Sequence, residues 1–383
     1  MMKIYLDYAA TTPLDKRVLK AMAPCLTTVF GNPSSAHFFG REALKELDTA
    51  RDKAAELMGV RPAELYFTSS GSEADNWAVK SAARAVRERT DRTGVVLSAI
   101  EHHAALGSAK SLEKEGFSVQ FVAPGADGIM DVPAVAAQIN ENTALVCVMA
   151  VNNEVGTVQP VEELAAAAHA AGALFFTDAV QAAGYMDLRK ITSNADMVSI
   201  SAHKFYGPKG VGALYVRRGT PFGPLIHGGE QERGLRGGTS DPAGAAGLAA
   251  ALSLSAEERE ENNARIRDVR DRFLDMLFNG LDGVSLNGDM RRRIPSNANV
   301  SFAGVDGSAL LHRLDMAGIA ASAGSACASG ALEPSHVLTA MGLPAARTKS
   351  AVRFTFGKFS TREEAEYVVR TLQQLVGELR GEL

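Results

Sequence analysis

Ser199-Ile-Ser-Ala-His-Lys-Phe-Tyr-Gly-Pro-Lys-Gly-Val-Gly212 is an apolar run that stops in a hydroxyl, an imidazole and an amine, those of Ser201, His203 and Lys204. It then turns through Gly207-Pro208 and Gly210. A strand that ends this way holds polar groups on a rigid edge, which is where scaffolds place their chemistry. A lysine alone is most often a solvated surface charge. The case for a site therefore rests on what the neighbouring strands deliver.

Upstream of this stretch, short apolar runs alternate with amphipathic ones. Residues 65–68 precede 74–87, 94–100 precede 104–115, and 144–151 precede 161–171; two further apolar runs cover 173–177 and 196–201. Such alternation predicts an α/β protein with a mostly parallel sheet flanked by helices on both faces. Helices are also expected over 16–22 and 41–58, separated by the turn-rich Phe30-Gly-Asn-Pro-Ser-Ser-Ala-His-Phe-Phe-Gly40. Near residue 255 the alternation gives way to a long charged helix over 256–281. Beyond it come a strand over 297–302, a helix around Leu310, an apolar run at 319–323, and a last helix opened by the capping box Thr361-Arg-Glu-Glu364. Two domains are expected, a large one over 15–255 and a smaller α+β one formed by 1–14 with 256–383.

At 383 residues the chain is long enough to bury more than one core. With 46% hydrophobic and 22% charged residues and a formal charge of −4, no basic excess favours nucleic acid or an anionic membrane. The first residues lack an apolar segment with a cleavage site, so a cytoplasmic protein is expected. Three distant cysteines, Cys25, Cys147 and Cys327, cannot make a disulfide framework or an all-cysteine metal site.

In open α/β sheets ligands bind beyond the carboxyl ends of the strands. Here those ends carry Ser69-Ser-Gly-Ser-Glu73, Glu101-His102-His103, Asn152-Asn153-Glu154, Asp178 with Gln181, and His203-Lys204. Gly71 and Ser72, opening a helix, offer unpaired N–H groups and the positive end of the helix dipole to a phosphate. The lack of a following Gly-Lys-Ser/Thr excludes a nucleotide P-loop. Asp178 ends a run apolar enough to bury it, and a buried carboxylate calls for a positive partner. A phosphate cradle, a buried Asp and a Lys on neighbouring strand ends match the needs of pyridoxal phosphate: an anion site, a partner for the ring nitrogen and an amine for the Schiff base.

These residues resemble the pyridoxal-phosphate cysteine desulfurases of the NifS/IscS kind, in the fold-type-I aminotransferase superfamily (class V). The resemblance runs through Tyr5-Leu-Asp-Tyr-Ala-Ala-Thr-Thr-Pro13, Phe30-Gly-Asn-Pro33, Asn152-Asn-Glu-Val-Gly156, Asp178-Ala-Val-Gln181, Ser201-Ala-His-Lys204, Arg236-Gly-Gly-Thr239 and Ser322-Ala-Gly-Ser-Ala-Cys327. It implies PLP fold type I, with a sheet of the seven-stranded type in the large domain. Lys204 would carry the cofactor, Asp178 pair with the ring nitrogen, Gln181 bond the ring's phenolic oxygen and His102 stack on the ring and move protons. Gly71, Ser72, Ser201 and His203 would hold the phosphate, joined by Thr239 from the partner subunit of a homodimer. Arg353, with Asn153 beside it, would receive the carboxylate of the substrate L-cysteine, a group that suits a guanidinium fork. Cys327, on a loop of small residues within 322–335 carried by the small domain, would take up the sulfur as a persulfide and leave L-alanine.

The persulfide sulfur would pass to a protein acceptor, an iron–sulfur scaffold or a thiolation protein. The few residues after the helix opened by Thr361 fall short of the tail associated with docking such a scaffold, so the acceptor stays open. The alternatives are another fold-type-I enzyme, a selenocysteine lyase or an aminotransferase, and a binding module without chemistry. Lys204, Asp178, His102, Arg353 and Cys327 together argue against lost chemistry. Cys25 and Cys147 are expected to be small buried hydrophobes, and His169 and His312 to be structural. His37, His227 and His336 fall in loops and receive no role.

Overall fold

A strand covered on both faces has to be apolar along its whole length, and in a computed structural model that describes residues 3–323 and 334–382, Met197–Ser201 is buried at every position. The strands are β1 (Ile4–Tyr5), β2 (Leu65–Thr68), β3 (Gly94–Ser98), β4 (Ser118–Val122), β5 (Thr143–Cys147), β6 (Leu174–Asp178), β7 (Met197–Ser201) and β8 (Gly212–Val216). All but β1 form one seven-stranded sheet in the order β2-β8-β7-β6-β5-β3-β4. Strand β8 runs antiparallel to both neighbours, β2 and β7. The other pairs are parallel. Because β2 and β7 are each antiparallel to β8, they run the same way, and the carboxyl ends of β2, β3, β5, β6 and β7 share one edge.

Two of these strands escape the sequence pattern. Strand β4 is an edge strand, largely exposed, in which Gln120 interrupts the valines. Strand β8 follows the Gly210 turn directly, so its apolar residues read as the tail of the turn. The expected helix over 256–281 is present as Arg259–Gly280, and a largely apolar helix that the sequence reading did not single out, Pro242–Glu257, precedes it across Glu258. The first helix runs on to Thr27 with Pro24 inside it. Cys147 is fully buried, as a small hydrophobe should be, whereas Cys25 is half-buried.

A second apolar cluster gathers Leu6, Phe273 and Leu277 of the helix Arg259–Gly280, and Val368 and Leu372 of the helix Arg362–Arg380. It covers a three-stranded antiparallel sheet of β9 (Val284–Leu286), β10 (Asn297–Phe302) and β12 (Ala351–Thr355). Strand β1 pairs in parallel with β11 (Ile319–Ala320). The capping box read at Thr361 is formed: its hydroxyl accepts from Glu364 N, and the Glu364 carboxylate accepts from Thr361 N at 3.0 Å. Among the described residues, no helix is long and apolar enough to cross a membrane.

Candidate active site

The shared carboxyl edge of the large sheet opens into a cavity of about 290 Å³. At one end the helix Gly71–Thr90 points its N-terminus at the cavity. Its N-cap is Ser70, whose hydroxyl accepts from Glu73 N at 3.1 Å. Glu73 in turn takes Ser69 N at 2.8 Å and Arg236 Nε at 2.9 Å, so its charge is spent away from the cavity and the Gly71–Ser72 end keeps its positive character. A Cβ on Gly71 would lie 2.8 Å from Val180 Cγ2 and 3.3 Å from Ser201 Cβ, which is why this position has no side chain. Ser201 and His203 complete the polar wall. An anion fits here.

Lys204 closes a short 3-10 turn, Ala202–Lys204, directly after β7. Its Nζ donates to the carbonyls of Ala9 at 2.6 Å and Ala10 at 2.8 Å. The turn is clasped from outside: Thr12 Oγ1 donates to His203 O at 2.9 Å and accepts from Tyr206 N at 2.8 Å. Tyr206 holds a left-handed backbone with φ 65°, a conformation that needs such support. The residues Ala9 to Thr12 thus form a strap over the lysine.

Asp178 ends β6 and is 4% exposed. One oxygen accepts from Val180 N at 2.8 Å. Burial pushes its pKa up to about 6, while Val180 N and the Lys204 charge pull the other way. A cationic ring nitrogen placed against it would restore the charged form. Gln181 also lines the cavity and donates from Nε2 to Ala9 O at 2.9 Å.

His102 is the N-cap of the helix His103–Glu113, and its Nδ1 accepts from Ala104 N at 3.2 Å. That bond puts the proton of the neutral ring on Nε2. Burial first, and then the charge of Lys204, lower its pKa to about 4, so the ring is neutral near pH 7. His203 is likewise lowered to about 4, by burial and by Lys204 and Lys209.

At the opposite end Arg353, on β12, is 1% exposed and lines the cavity. Nη1 donates to Asn153 O at 2.8 Å and Nη2 to Asp7 Oδ1 at 2.8 Å. Asn153 reaches the same wall, and its Oδ1 is buried with no hydrogen-bond partner.

Ten of the residues singled out from sequence therefore line one cavity: Gly71, Ser72, His102, Asn153, Asp178, Gln181, Ser201, His203, Lys204 and Arg353. Thr239 does not; it lines a separate cavity of about 170 Å³ with Arg236 and Glu232. Cys327 lies outside the described residues. Ser322, ahead of it, pairs with the Arg353 backbone, its N–H donating to Arg353 O at 3.1 Å.

Several cavity residues went unassigned in the sequence. Asp75 is 1% exposed and accepts from Ser199 Oγ at 2.6 Å; burial and the neighbouring Asp178 raise its pKa well above the carboxylate range. Glu154 accepts from Ser335 Oγ, and its buried Oε1 has no hydrogen-bond partner among the described residues, His336 Nδ1 lying 3.9 Å away. His103 and His336 pack with ring centroids 4.6 Å apart and planes tilted by 43°, and His336 Nε2 bonds Glu101 O at 3.0 Å. Glu101, behind the wall, is fully buried, accepts from Met149 N at 2.7 Å and titrates near 8 because of that burial. The usable signal was position: Glu101, His103 and Glu154 all follow strand ends. Asp75 sits inside a helix, where periodicity reads it as an ordinary polar position; His336, expected in a loop, instead opens the short helix His336–Ala340. Among the described residues, no His, Cys, Asp and Glu group is arranged to hold a metal ion.

Residues 4–368 match the aminotransferase class-V family. The cysteine desulfurase IscS of Dictyoglomus turgidum is 42% identical over 378 residues, spanning 99% of this chain and 95% of that protein. A cysteine desulfurase of Trichormus azollae is also 42% identical, over 381 residues, covering 100% of this chain and 94% of its own. Among solved structures, a NifS-like protein superposes with a TM-score of 0.92 at 36% identity, covering 98% of this chain and 100% of that one.

Proposed function

This chain belongs to the aminotransferase class-V family, and we propose that it works there as a cysteine desulfurase using pyridoxal 5'-phosphate. The observation that carries this reading is the convergence of Lys204, Asp178, the Gly71–Ser72 helix end and Arg353 on one cavity. The residues fit the cofactor. Gly71, held free of a side chain, with Ser72, Ser201 and His203 would take its phosphate, Asp178 its ring nitrogen, Gln181 its phenolic oxygen and Lys204 its aldehyde carbon. When bound, the cofactor supplies an electron sink for the pair left when the substrate's Cα proton departs.

The chain's own residues do the rest. Arg353 and Asn153 orient the L-cysteine carboxylate. Lys204, with its Nζ drawn to the Ala9 and Ala10 carbonyls, is the amine that would hold the cofactor and the base that moves the Cα proton. His102 is neutral, carries its proton on Nε2, and serves as the ring-stacking proton carrier. Cys327 as thiolate attacks the substrate sulfur: a sulfur–sulfur bond forms, the Cβ–S bond breaks, and protonation of the remainder yields L-alanine. The persulfide sulfur then passes to a protein acceptor for iron–sulfur assembly or thiolation.

Thr239, being away from its own chain's Lys204 cavity, is read as a residue that serves the partner subunit of a homodimer. The separate apolar cluster supports a division into residues 15–255 and a small domain of 1–14 with 256–383. A cytoplasmic setting fits a protein that hands sulfur to such acceptors. The test is Cys327→Ser in the cofactor-loaded enzyme. The visible cofactor band and its change on adding L-cysteine should persist, while alanine production and labelled persulfide disappear. Persistent persulfide formation would assign the sulfur chemistry elsewhere.

A further inference from the structure

Arg353 reaches the cavity from the middle of β12, and its guanidinium is gripped by a carboxylate that does not line that cavity. Asp7 accepts from Nη2 at 2.8 Å, and the Asp7 carboxylate is absent from the cavity lining although Arg353 is part of it. Asp7 therefore grips the fork from behind, while the Asn153 carbonyl holds Nη1 at 2.8 Å. A carboxylate that entered the cavity could compete with a substrate carboxylate; one outside it can only orient the donors. The guanidinium side chain is 2% exposed and that of Asp7 20%, so the pair is shielded enough for a charge-assisted bond to matter.

The segment bearing Asp7 is itself built in. Leu6 O accepts from Thr355 N at 2.7 Å, and Asp7 forms a parallel bridge with Thr355, two residues along β12 from Arg353. Tyr5 Oη donates to Asp7 O at 3.0 Å and to Thr11 O at 2.9 Å, bracing the bend between them. Two residues on, the same segment supplies Ala9 O to Lys204 and Gln181. One short stretch of backbone thus sets the spacing between the arginine and the lysine.

We propose that Asp7 is the positioning residue for substrate-carboxylate recognition, holding the Arg353 guanidinium from outside the cavity that Arg353 lines. This rests on the reading of Arg353 as the carboxylate receptor. Asp7→Ala in the cofactor-loaded enzyme should raise KM for L-cysteine about tenfold, the loss of one charge-assisted hydrogen bond, with kcat within about twofold. Asp7→Asn keeps the volume and the acceptor and should show a smaller rise, about threefold. A double-mutant cycle with Arg353→Met separates positioning from a general structural effect. If Asp7 acts through Arg353, adding Asp7→Ala to Arg353→Met leaves KM where Arg353→Met alone put it. Equal costs of Asp7→Ala in both backgrounds would overturn the proposal, as would an unchanged KM in the two Asp7 variants. If Arg353→Met leaves KM unaltered, the carboxylate-receptor reading falls, and the role of Asp7 with it. Should Asp7→Ala fail to fold, the same cycle is run with Asp7→Asn.

Discussion

Ser199 gives its hydroxyl to Asp75 at 2.6 Å from the position on β7 that pairs in register with Asp178 on β6. Two buried carboxyl groups thus meet around one serine. Their neighbours differ: Asp178 has the Lys204 charge acting on it, whereas Asp75 is raised by burial and by Asp178 itself. Asp75 is the one pushed toward its protonated form, and Asp178, with Lys204 acting on it, the one poised to ionise. Asp75→Asn should keep the cofactor and retain activity within about threefold, since an amide keeps the shape and the oxygen that accepts from Ser199. Asp178→Asn should lose cofactor affinity and at least about a hundredfold in kcat, measured by absorbance titration and alanine release.

Gly71 is the tightest point of the anion end. Gly71→Ala would press a methyl 2.8 Å from Val180 Cγ2, and relief of that contact has to move either Val180 or the helix start. We expect a stability loss of about 1–3 kcal/mol and a weaker hold on the cofactor, read from a fluorescence titration of the cofactor-free enzyme.

Glu101 titrates near 8 in the folded chain because it is fully buried, against 4.5 for an ordinary glutamate. The native state therefore binds a proton that the unfolded chain has already released over that interval. Stability from this group is present at low pH and is lost as pH rises from about 4.5 toward 8. Glu101→Gln keeps the shape and removes the titration. Its melting temperature should fall less than that of the parent protein between pH 6 and pH 9, in scans at matched ionic strength.

The Arg51–Glu232 pair supports the wall that carries Thr239. Both side chains are under a tenth exposed, the two guanidinium nitrogens lie 2.8 Å from the two carboxylate oxygens, and Glu232 also takes Phe67 N at 3.1 Å. Glu232→Ala leaves a buried guanidinium without its counter-charge, which costs about 3–5 kcal/mol. Chemical denaturation should show that loss. A double variant that also replaces Arg51 with Met should recover part of it.

The α/β class and the polar strand ends that line the cavity were legible because parallel strands buried on both faces leave unbroken apolar runs, and because polar residues at their ends stand out against them. Strand β4 was not, since an edge strand open to water can mix Gln120 among valines. The helix Pro242–Glu257 was not legible because its run of Ala, Gly and Leu is apolar almost all round and shows no helical stripe, unlike the charged helix Arg259–Gly280 that follows Glu258. In the site, residue types that are rare in buried positions gave themselves away, as Asp178 did. Asp7 did not, since its value lies in meeting Arg353 across the fold. The strap over Lys204 is made of Ala9 and Ala10 carbonyls, and a carbonyl has no signature in sequence.

Asp7 and Arg353 lie 346 positions apart, and β1 finds its partner only at β11. During synthesis β1 leaves the ribosome well before β11, the strand it pairs with, has been made. Long-range pairing of this kind is slow and comes late. A product cut short before β12 keeps its lysine and its helix end but has no Arg353 for the segment around Asp7 to dock on. Cofactor retention together with substrate discrimination therefore reports that translation ran through to β12.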